Sequence, residues 1–116
     1  MILTERYTIK FAFLENIRFN QEYVEFNWKI AATKVYRQTD VFINAVIDER
    51  INVCKNCREN ETCVIVTVVR NPVEIDDSEY FYSLLKIVLL DVKKALDNPY
   101  TLLTREEVES TFFFRV

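Results

Sequence analysis

Glycine and histidine are both absent from this chain of 116 residues. Glycine supplies the positive φ angles and close backbone approach that P-loops, dinucleotide-binding turns and nucleophile elbows require. Histidine is the usual general base near neutral pH, and it completes Ser-His-Asp, Cys-His and HExxH sites. The sequence therefore excludes the usual forms of these active sites, and we expect a protein that is not an enzyme.

Long apolar runs are missing as well. No stretch approaches the roughly 18 apolar residues that suggest a membrane-spanning helix, and residues 1–10 lack the basic start and apolar segment of a secretory signal. We therefore expect an intracellular protein with no membrane partner. A small aromatic-rich chain without glycine or histidine also suggests a virus or mobile element as its source, which would place it in the host cytoplasm.

The chain has no excess of positive charge, because its 15 Lys and Arg residues are outnumbered by 18 Asp and Glu residues, for a net charge of -3 at pH 7. Affinity for the phosphates of nucleic acids depends on Lys and Arg side chains that release counterions, so the net negative charge disfavours nucleic-acid binding. Bases nevertheless outnumber acids in residues 1–38, where aromatic residues alternate with them. An alternative hypothesis is therefore a small nucleic-acid-binding regulator whose N-terminal strands present Lys10, Lys29, Lys34 and Arg37.

Apolar residues make up 50% of the chain and aromatic residues 14%, enough for the core of one domain spanning residues 1–116. Alternation of apolar and polar residues is typical of half-buried strands. It predicts strands over residues 6–15, 22–36 and 41–53. A β-branched segment predicts a central strand over residues 63–69, and residues 110–116 are predicted to form the last strand.

One amphipathic helix is predicted after residue 75. Asp76 and Glu79 match a capping box, apolar residues follow at spacings of three and four, and Asn98-Pro99 ends the helix. The acidic residues around Asp76, including Glu74, are interpreted as a helix start and not as a cation site. Thr104 and Glu107 suggest a second, short helix. The predicted fold is α+β, with a mostly antiparallel sheet of four to five strands and one long helix packed across it.

The three cysteines, Cys54, Cys57 and Cys63, are spaced C-x2-C-x5-C in a loop between two predicted strands. C-x2-C is a common half of a zinc site, but with no histidine the fourth ligand would have to be Glu59, Glu61 or a partner's residue. Alternatively, Cys54 faces Cys63 across the hairpin in a disulfide, or Cys54 and Cys57 form a redox pair, or all three are plain thiols. We expect the protein to need no cofactor. Zinc is the one cofactor that the cysteine spacing suggests, although a fourth ligand is lacking. A cysteine-based metal or redox module is the second alternative function.

Consecutive aromatic residues at Phe112, Phe113 and Phe114 must point to both faces of a strand. On an edge strand they would offer apolar surface to a second chain. Leu90 is an apolar residue among polar positions of the predicted helix. These residues predict a self-association surface. The leading hypothesis is a non-enzymatic interaction or structural module, expected to be a homodimer and to bind a further protein partner.

Overall fold

The computed structural model describes residues 2–12 and 20–113. Four strands and two helices follow one another along this part of the chain. They are β1 (Ile2–Ala12), α1 (Gln21–Thr39), β2 (Val46–Ile51), β3 (Thr62–Val69), α2 (Ser78–Ala95) and β4 (Tyr100–Ser110). The predicted α+β class with a four-stranded antiparallel sheet is confirmed, although two helices are present where one was expected. Within the described ranges, neither helix has the length and apolar character needed to cross a bilayer.

The sheet has the strand order β2-β3-β1-β4, and every neighbouring pair is antiparallel. β1 is central and pairs with β4 along its whole length, from Ile2 opposite Ser110 to Ala12 opposite Tyr100. Each helix connects two strands that are not hydrogen-bonded to each other. Through each helix the chain therefore passes from a central strand, β1 or β3, to an edge strand, β2 or β4.

The hydrophobic core lies between the two helices and one face of the sheet. From β1 and β3 it receives alternate residues, and from the helices residues three and four apart. Burying one such side chain stabilises the fold by about 1.5–3 kcal/mol. The members with no or almost no exposed surface include Tyr7, Ile9, Phe11, Val24, Val64, Val66, Val68, Leu85 and Val88.

The segment predicted as the strand 22–36 is in fact helix α1. Its buried residues, Val24, Trp28, Ala31, Ala32 and Val35, recur at helical spacing. Asn20 caps the first turn, because its side-chain oxygen accepts a hydrogen bond from the Tyr23 backbone N–H at 3.1 Å. The alternation that suggested a strand arises because Phe26 and Ile30 are apolar but exposed on the outer side of the helix.

The other differences lie at the ends of elements. β2 covers only residues 46–51 of the predicted strand 41–53, and α2 has Asp77, not Asp76, as its N-cap. Thr104 and Glu107 lie within β4, so no short helix forms there. The last strand ends at Ser110 instead of beginning there. β4 is an edge strand with charged residues at its centre, which hides the apolar alternation that predicts a strand.

Left-handed backbone conformations are taken by Asp and Asn in this glycine-free chain. Asp40, Asn60, Asp97 and Asn98 all have φ between 55° and 64°. These residue types tolerate this region better than others because their short polar side chains can hydrogen-bond locally. Asp40 ends α1 in this way, and Asp97 and Asn98 follow the end of α2.

Candidate functional site

A cavity of about 420 Å³ opens beside the C-terminal end of α1. Its walls come from α1, the α1–β2 segment, the end of β3, the β3–α2 loop and the first turn of α2. The volume falls in the range of about 300–1,000 Å³ that is usual for small-molecule sites. The lining residues are Tyr36, Asp40, Val41, Phe42, Asn44, Val69, Asn71, Glu74, Ile75 and Phe81.

The first wall is built where α1 ends. Asp40 donates its backbone N–H to the Tyr36 carbonyl at 2.8 Å and turns the chain away from the helix axis. The α1–β2 segment is then held against α1, because the Trp28 indole Nε1 donates to the Ile43 carbonyl at 3.0 Å. The Tyr36 and Phe42 rings meet edge-to-face with their centroids 6.2 Å apart. Two aromatic side chains and the Asp40 carboxylate thus occupy one side of the cavity.

The opposite wall, the β3–α2 loop, is held by Arg70. This side chain is only 6% exposed, and it makes a bidentate ion pair with Glu5 through Nε at 2.9 Å and Nη2 at 3.0 Å. Its Nη1 donates to the carbonyls of Ile75 at 2.7 Å and Asp76 at 3.3 Å. A buried guanidinium paired in this way is strongly oriented. Arg70 therefore fixes the loop to the end of the sheet.

Asn71 shapes the start of that loop. Its carbonyl accepts hydrogen bonds from the backbone N–H groups of Glu74 and Ile75, and its side-chain Oδ1 accepts one from the Val73 N–H at 3.0 Å. This arrangement is typical of Asx turns, in which the side chain stabilises the turn that follows it. It places Asn71 and Glu74 together on the cavity wall.

Perturbed ionisable groups surround Glu5, behind the β3–α2 loop. The hydrogen bonds from Arg70 lower the pKa of Glu5, and the same contacts raise the pKa of Arg70. Ser78 also donates a hydrogen bond to Glu5, and Arg105 lies 3.8 Å from the Glu5 carboxylate. Because these charges are already paired, we assign the cluster to positioning the loop and not to binding a ligand.

Tyr7 joins this cluster to the cavity. Its ring stacks on Tyr82 at 5.5 Å and packs against the cavity residue Phe81 at 5.9 Å. Burial raises the pKa of the Tyr7 phenol. Aromatic packing from β1 therefore supports the cavity wall at Phe81.

The chemistry of the cavity suits a small organic cation that carries a flat ring. Three aromatic side chains, Tyr36, Phe42 and Phe81, can contact a ring or a cation through their faces. Asp40 and Glu74 supply negative charge. Asn44 and Asn71 each carry an amide that can donate and accept hydrogen bonds.

The model of the SAM lyase family matches residues 2–114. The chain belongs to the SAM lyase family. A phage SAM lyase in complex with S-methyl-5'-thioadenosine has a similar structure, with a TM-score of 0.59 at 12% sequence identity over 90% of this chain and 81% of that chain. A phage SAM lyase in the apo state gives a TM-score of 0.58 at 10% identity over 90% and 79%. No curated protein sequence matches this chain.

A dimeric ferredoxin-like protein from an uncultured marine organism also shares the fold. Its TM-score is 0.50 at 14% identity, over 98% of this chain and 95% of that chain. The order of strands and helices described above is therefore that of a ferredoxin-like fold.

Membership of the SAM lyase family shows that the prediction of a non-enzymatic interaction module is wrong. The missing glycine and histidine exclude particular motifs, but they do not exclude catalysis by a site that needs neither residue. The two alternative functions, a nucleic-acid-binding regulator and a cysteine-based module, are not supported either.

The basic residues of the nucleic-acid hypothesis do not share neighbouring strands. Lys10 lies on β1, where its Nζ donates to Asn52 Oδ1 at 2.9 Å. Lys29, Lys34 and Arg37 lie at exposed positions of α1. The predicted basic surface of two strands therefore does not form, because the second of these strands is a helix.

The cysteines divide into a pair and a single residue. Cys54 and Cys57 are joined by a disulfide in the β2–β3 loop, whereas Cys63 is a free, buried residue of β3. Glu61, not Cys63, lies with the pair. Leu90 is exposed on α2, and Phe112 and Phe113 follow the end of β4. Phe114 lies outside the described residues.

No pattern in the sequence groups the residues that line the cavity. The sequence patterns assign Glu74 to a helix start and Asn44 to the strand 41–53, and they give Asp40 no functional role. The available signal was a set of turn-forming Asp and Asn residues at the ends of elements. The sequence alone does not show that the end of α1 and the end of β3, 30 residues apart, lie beside the same cavity.

Proposed function

We propose that this chain cleaves SAM (S-adenosylmethionine) in the cavity beside α1 and releases S-methyl-5'-thioadenosine. The observation that carries the proposal is the family match over residues 2–114. The S-methyl-5'-thioadenosine bound to a phage SAM lyase supports the choice of product. The cavity supports the choice of site, because its carboxylates, rings and amides complement the charged groups and the base of the substrate.

Substrate binding is assigned as follows. SAM has two cationic groups, a sulfonium and an ammonium. The carboxylates of Asp40 and Glu74 would bind the ammonium, which keeps its charge through the reaction. The faces of Tyr36 and Phe42 would contact the adenine ring or the sulfonium. Asn71 would hydrogen-bond the adenine edge, since an amide matches its adjacent donor and acceptor.

The reaction is proposed as an internal displacement. Release of S-methyl-5'-thioadenosine requires cleavage of the bond between the sulfonium sulfur and Cγ of the methionine part, with the electron pair going to sulfur. The substrate's own carboxylate attacks Cγ and forms a five-membered lactone. Every atom of SAM is then found in one of two products: the sulfonium becomes the neutral thioether of S-methyl-5'-thioadenosine, and the lactone keeps the ammonium. No water is added and no proton is removed, so neither water nor a general base takes part. A site without histidine suits this chemistry.

The cavity walls would favour this step electrostatically. The negative carboxylate and positive sulfonium neutralise each other as the transition state forms, so water that stabilises both charges opposes the reaction. Replacing that water with aromatic walls such as Phe42 and Phe81 makes the charge neutralisation easier.

The first experiment incubates the purified protein with SAM and follows the products by liquid chromatography and mass spectrometry. We expect S-methyl-5'-thioadenosine together with the amino lactone. Asp40→Asn and Glu74→Gln should each raise KM for SAM about tenfold, because each removes a charge that attracts the substrate. The matched control is Asp91→Asn, which neutralises an exposed acid of α2 outside the cavity.

Three results would contradict parts of the proposal. No S-methyl-5'-thioadenosine from the unmodified protein would refute the activity. An unsaturated amino acid in place of the lactone would show elimination instead of displacement. Normal kinetics in both cavity variants would place the reaction elsewhere on the molecule.

We also propose that two copies of the chain associate through α2 and the segment after β4, and that the protein acts inside the cell, where SAM is made. Leu90 is 61% exposed and Phe113 is 91% exposed, and apolar surface of this kind favours burial against a partner. The dimeric state of the ferredoxin-like protein from an uncultured marine organism supports a second copy as that partner.

A further inference from the structure

The β2–β3 loop contains a second cluster of reactive groups that the proposed lyase reaction does not use. The sulfur atoms of Cys54 and Cys57 and a carboxylate oxygen of Glu61 all lie within 4.8 Å of one another. Together with Asn52 and Arg58, the two cysteines line a separate cavity of about 350 Å³. None of these residues lines the cavity beside α1.

We propose that this loop binds one zinc ion when the Cys54–Cys57 disulfide is reduced. The two thiolates and the Glu61 carboxylate would be the protein ligands, and a water molecule would take the fourth position. Thiolates and carboxylates are both zinc ligands, and sites with three protein ligands keep an open fourth position. A tetrahedral zinc ion spaces its ligand atoms about 3.5–3.8 Å apart, which the cluster can reach once the sulfur atoms separate.

The main support for a metal site is that one carboxylate oxygen of Glu61 lacks a hydrogen-bond partner. Its Oε2 atom is buried and has no hydrogen-bond partner among the described residues. Leaving a buried carboxylate oxygen unpaired is costly. A metal ion bound by this carboxylate and the two sulfur atoms would reduce that cost.

The surroundings of the cluster match those of a metal site. The Asn52 side-chain N–H lies 3.7 Å from Cys57 Sγ, and the Asn52 backbone N–H donates to the Glu61 carbonyl at 2.7 Å. Hydrogen bonds of this kind orient metal ligands from behind. Two thiolates and one carboxylate leave one net negative charge after zinc binds, and the Lys10 ammonium, hydrogen-bonded to Asn52 at 2.9 Å, lies close enough to offset it.

Reduction precedes metal binding in this proposal. A cellular dithiol donates two electrons and two protons to the Cys54–Cys57 disulfide, giving two thiols and an oxidised dithiol. Zinc then displaces the two thiol protons, which are released to solvent. The site is therefore empty in the oxidised protein and available in the reduced one.

The test measures zinc binding to the full chain by competition with a chromophoric chelator, before and after reduction and removal of the reductant. We expect one zinc ion per chain in the reduced protein and none in the oxidised protein. Cys57→Ser and Glu61→Gln should each weaken binding at least about tenfold. The matched controls, Cys63→Ala and Glu107→Gln, change a cysteine and an exposed acid that belong neither to the cluster nor to the cavity beside it, and both should bind zinc as the unmodified protein does.

Equal zinc binding by the oxidised protein, or by Glu61→Gln, would overturn the proposal, as would no binding after reduction. Circular dichroism of each variant establishes that it is folded, and the conservative Glu61→Gln change keeps the test decisive if a cysteine variant does not fold. SAM cleavage is measured in parallel. The zinc site can be absent while the activity is present, so failure of one proposal is distinguishable from failure of the other.

Discussion

At the scale of single residues, Arg70 links β1 to the β3–α2 loop. It is the buried cation that ties the loop beside the candidate active site to β1, because it pairs with the Glu5 carboxylate and donates to two carbonyls of the loop. Removing one partner of such a pair leaves the other charge buried and unpaired, which costs far more than losing an exposed pair. The neighbouring exposed pair Arg6–Glu106, with its atoms 2.7 Å apart, provides the comparison.

We predict that Glu5→Gln lowers the free energy of unfolding by about 3 kcal/mol at neutral pH, whereas Glu106→Gln lowers it by less than about 1 kcal/mol. Urea unfolding followed by circular dichroism measures both values. Because the pKa of Glu5 is lowered in the folded state, its contribution is complete above the ordinary value of 4.5 and is lost as the pH falls below it. The Glu5→Gln variant should lack this part of the pH dependence. Equal effects of the two substitutions would contradict the assignment of Arg70 as a buried anchor.

At the scale of elements, α1 is the point at which sequence pattern and structure disagree. A strand would place Phe26 and Trp28 on the same face, whereas the helix separates them. Trp28 is 3% exposed and hydrogen-bonded to Ile43, and Phe26 is 64% exposed. Substituting these two aromatic residues therefore distinguishes the two conformations.

We predict that Trp28→Ala lowers the free energy of unfolding by about 3–5 kcal/mol, because it removes a large buried ring and leaves the Ile43 carbonyl without its donor. Phe26→Ala should change it by less than about 0.5 kcal/mol. Thermal or urea unfolding of both variants gives the comparison. A large loss in both would support the strand that the sequence pattern favours.

Some elements were predictable and others were not, for physical reasons. β3 and α2 were found because each buries a strongly patterned face, β-branched in one and at spacings of three and four in the other. α1 was missed because its exposed Phe26 and Ile30 add apolar positions that imitate alternation. β4 was misplaced because it is an edge strand with charged residues at its centre, stabilised mainly by backbone pairing with β1. In the candidate site, the individual turn residues were visible in the sequence, but their meeting depends on the strand order.

At the scale of the whole molecule, exposed apolar surface predicts how many chains form the active assembly. Exposed apolar side chains at Leu90 and Phe113 lead us to expect a mass near twice the 13.9 kDa of one chain. Light scattering after size exclusion should show this mass for the unmodified protein and a monomer for a Leu90→Asp, Phe113→Asp double variant. Phe26→Asp, which places a charge on the outer side of α1, is the matched control and should remain a dimer. A monomeric unmodified protein would refute the proposed association.

The pairing of β1 with β4 also determines how the protein is made. β1 leaves the ribosome well before β4, although the two strands pair along eleven residues. One side of β1 therefore stays open through most of synthesis, and its free backbone N–H and C=O groups can pair with another nascent chain. A premature stop before Tyr100 would thus give an aggregation-prone fragment and not a smaller enzyme. Rapid completion of translation shortens the time for which this side of β1 is open.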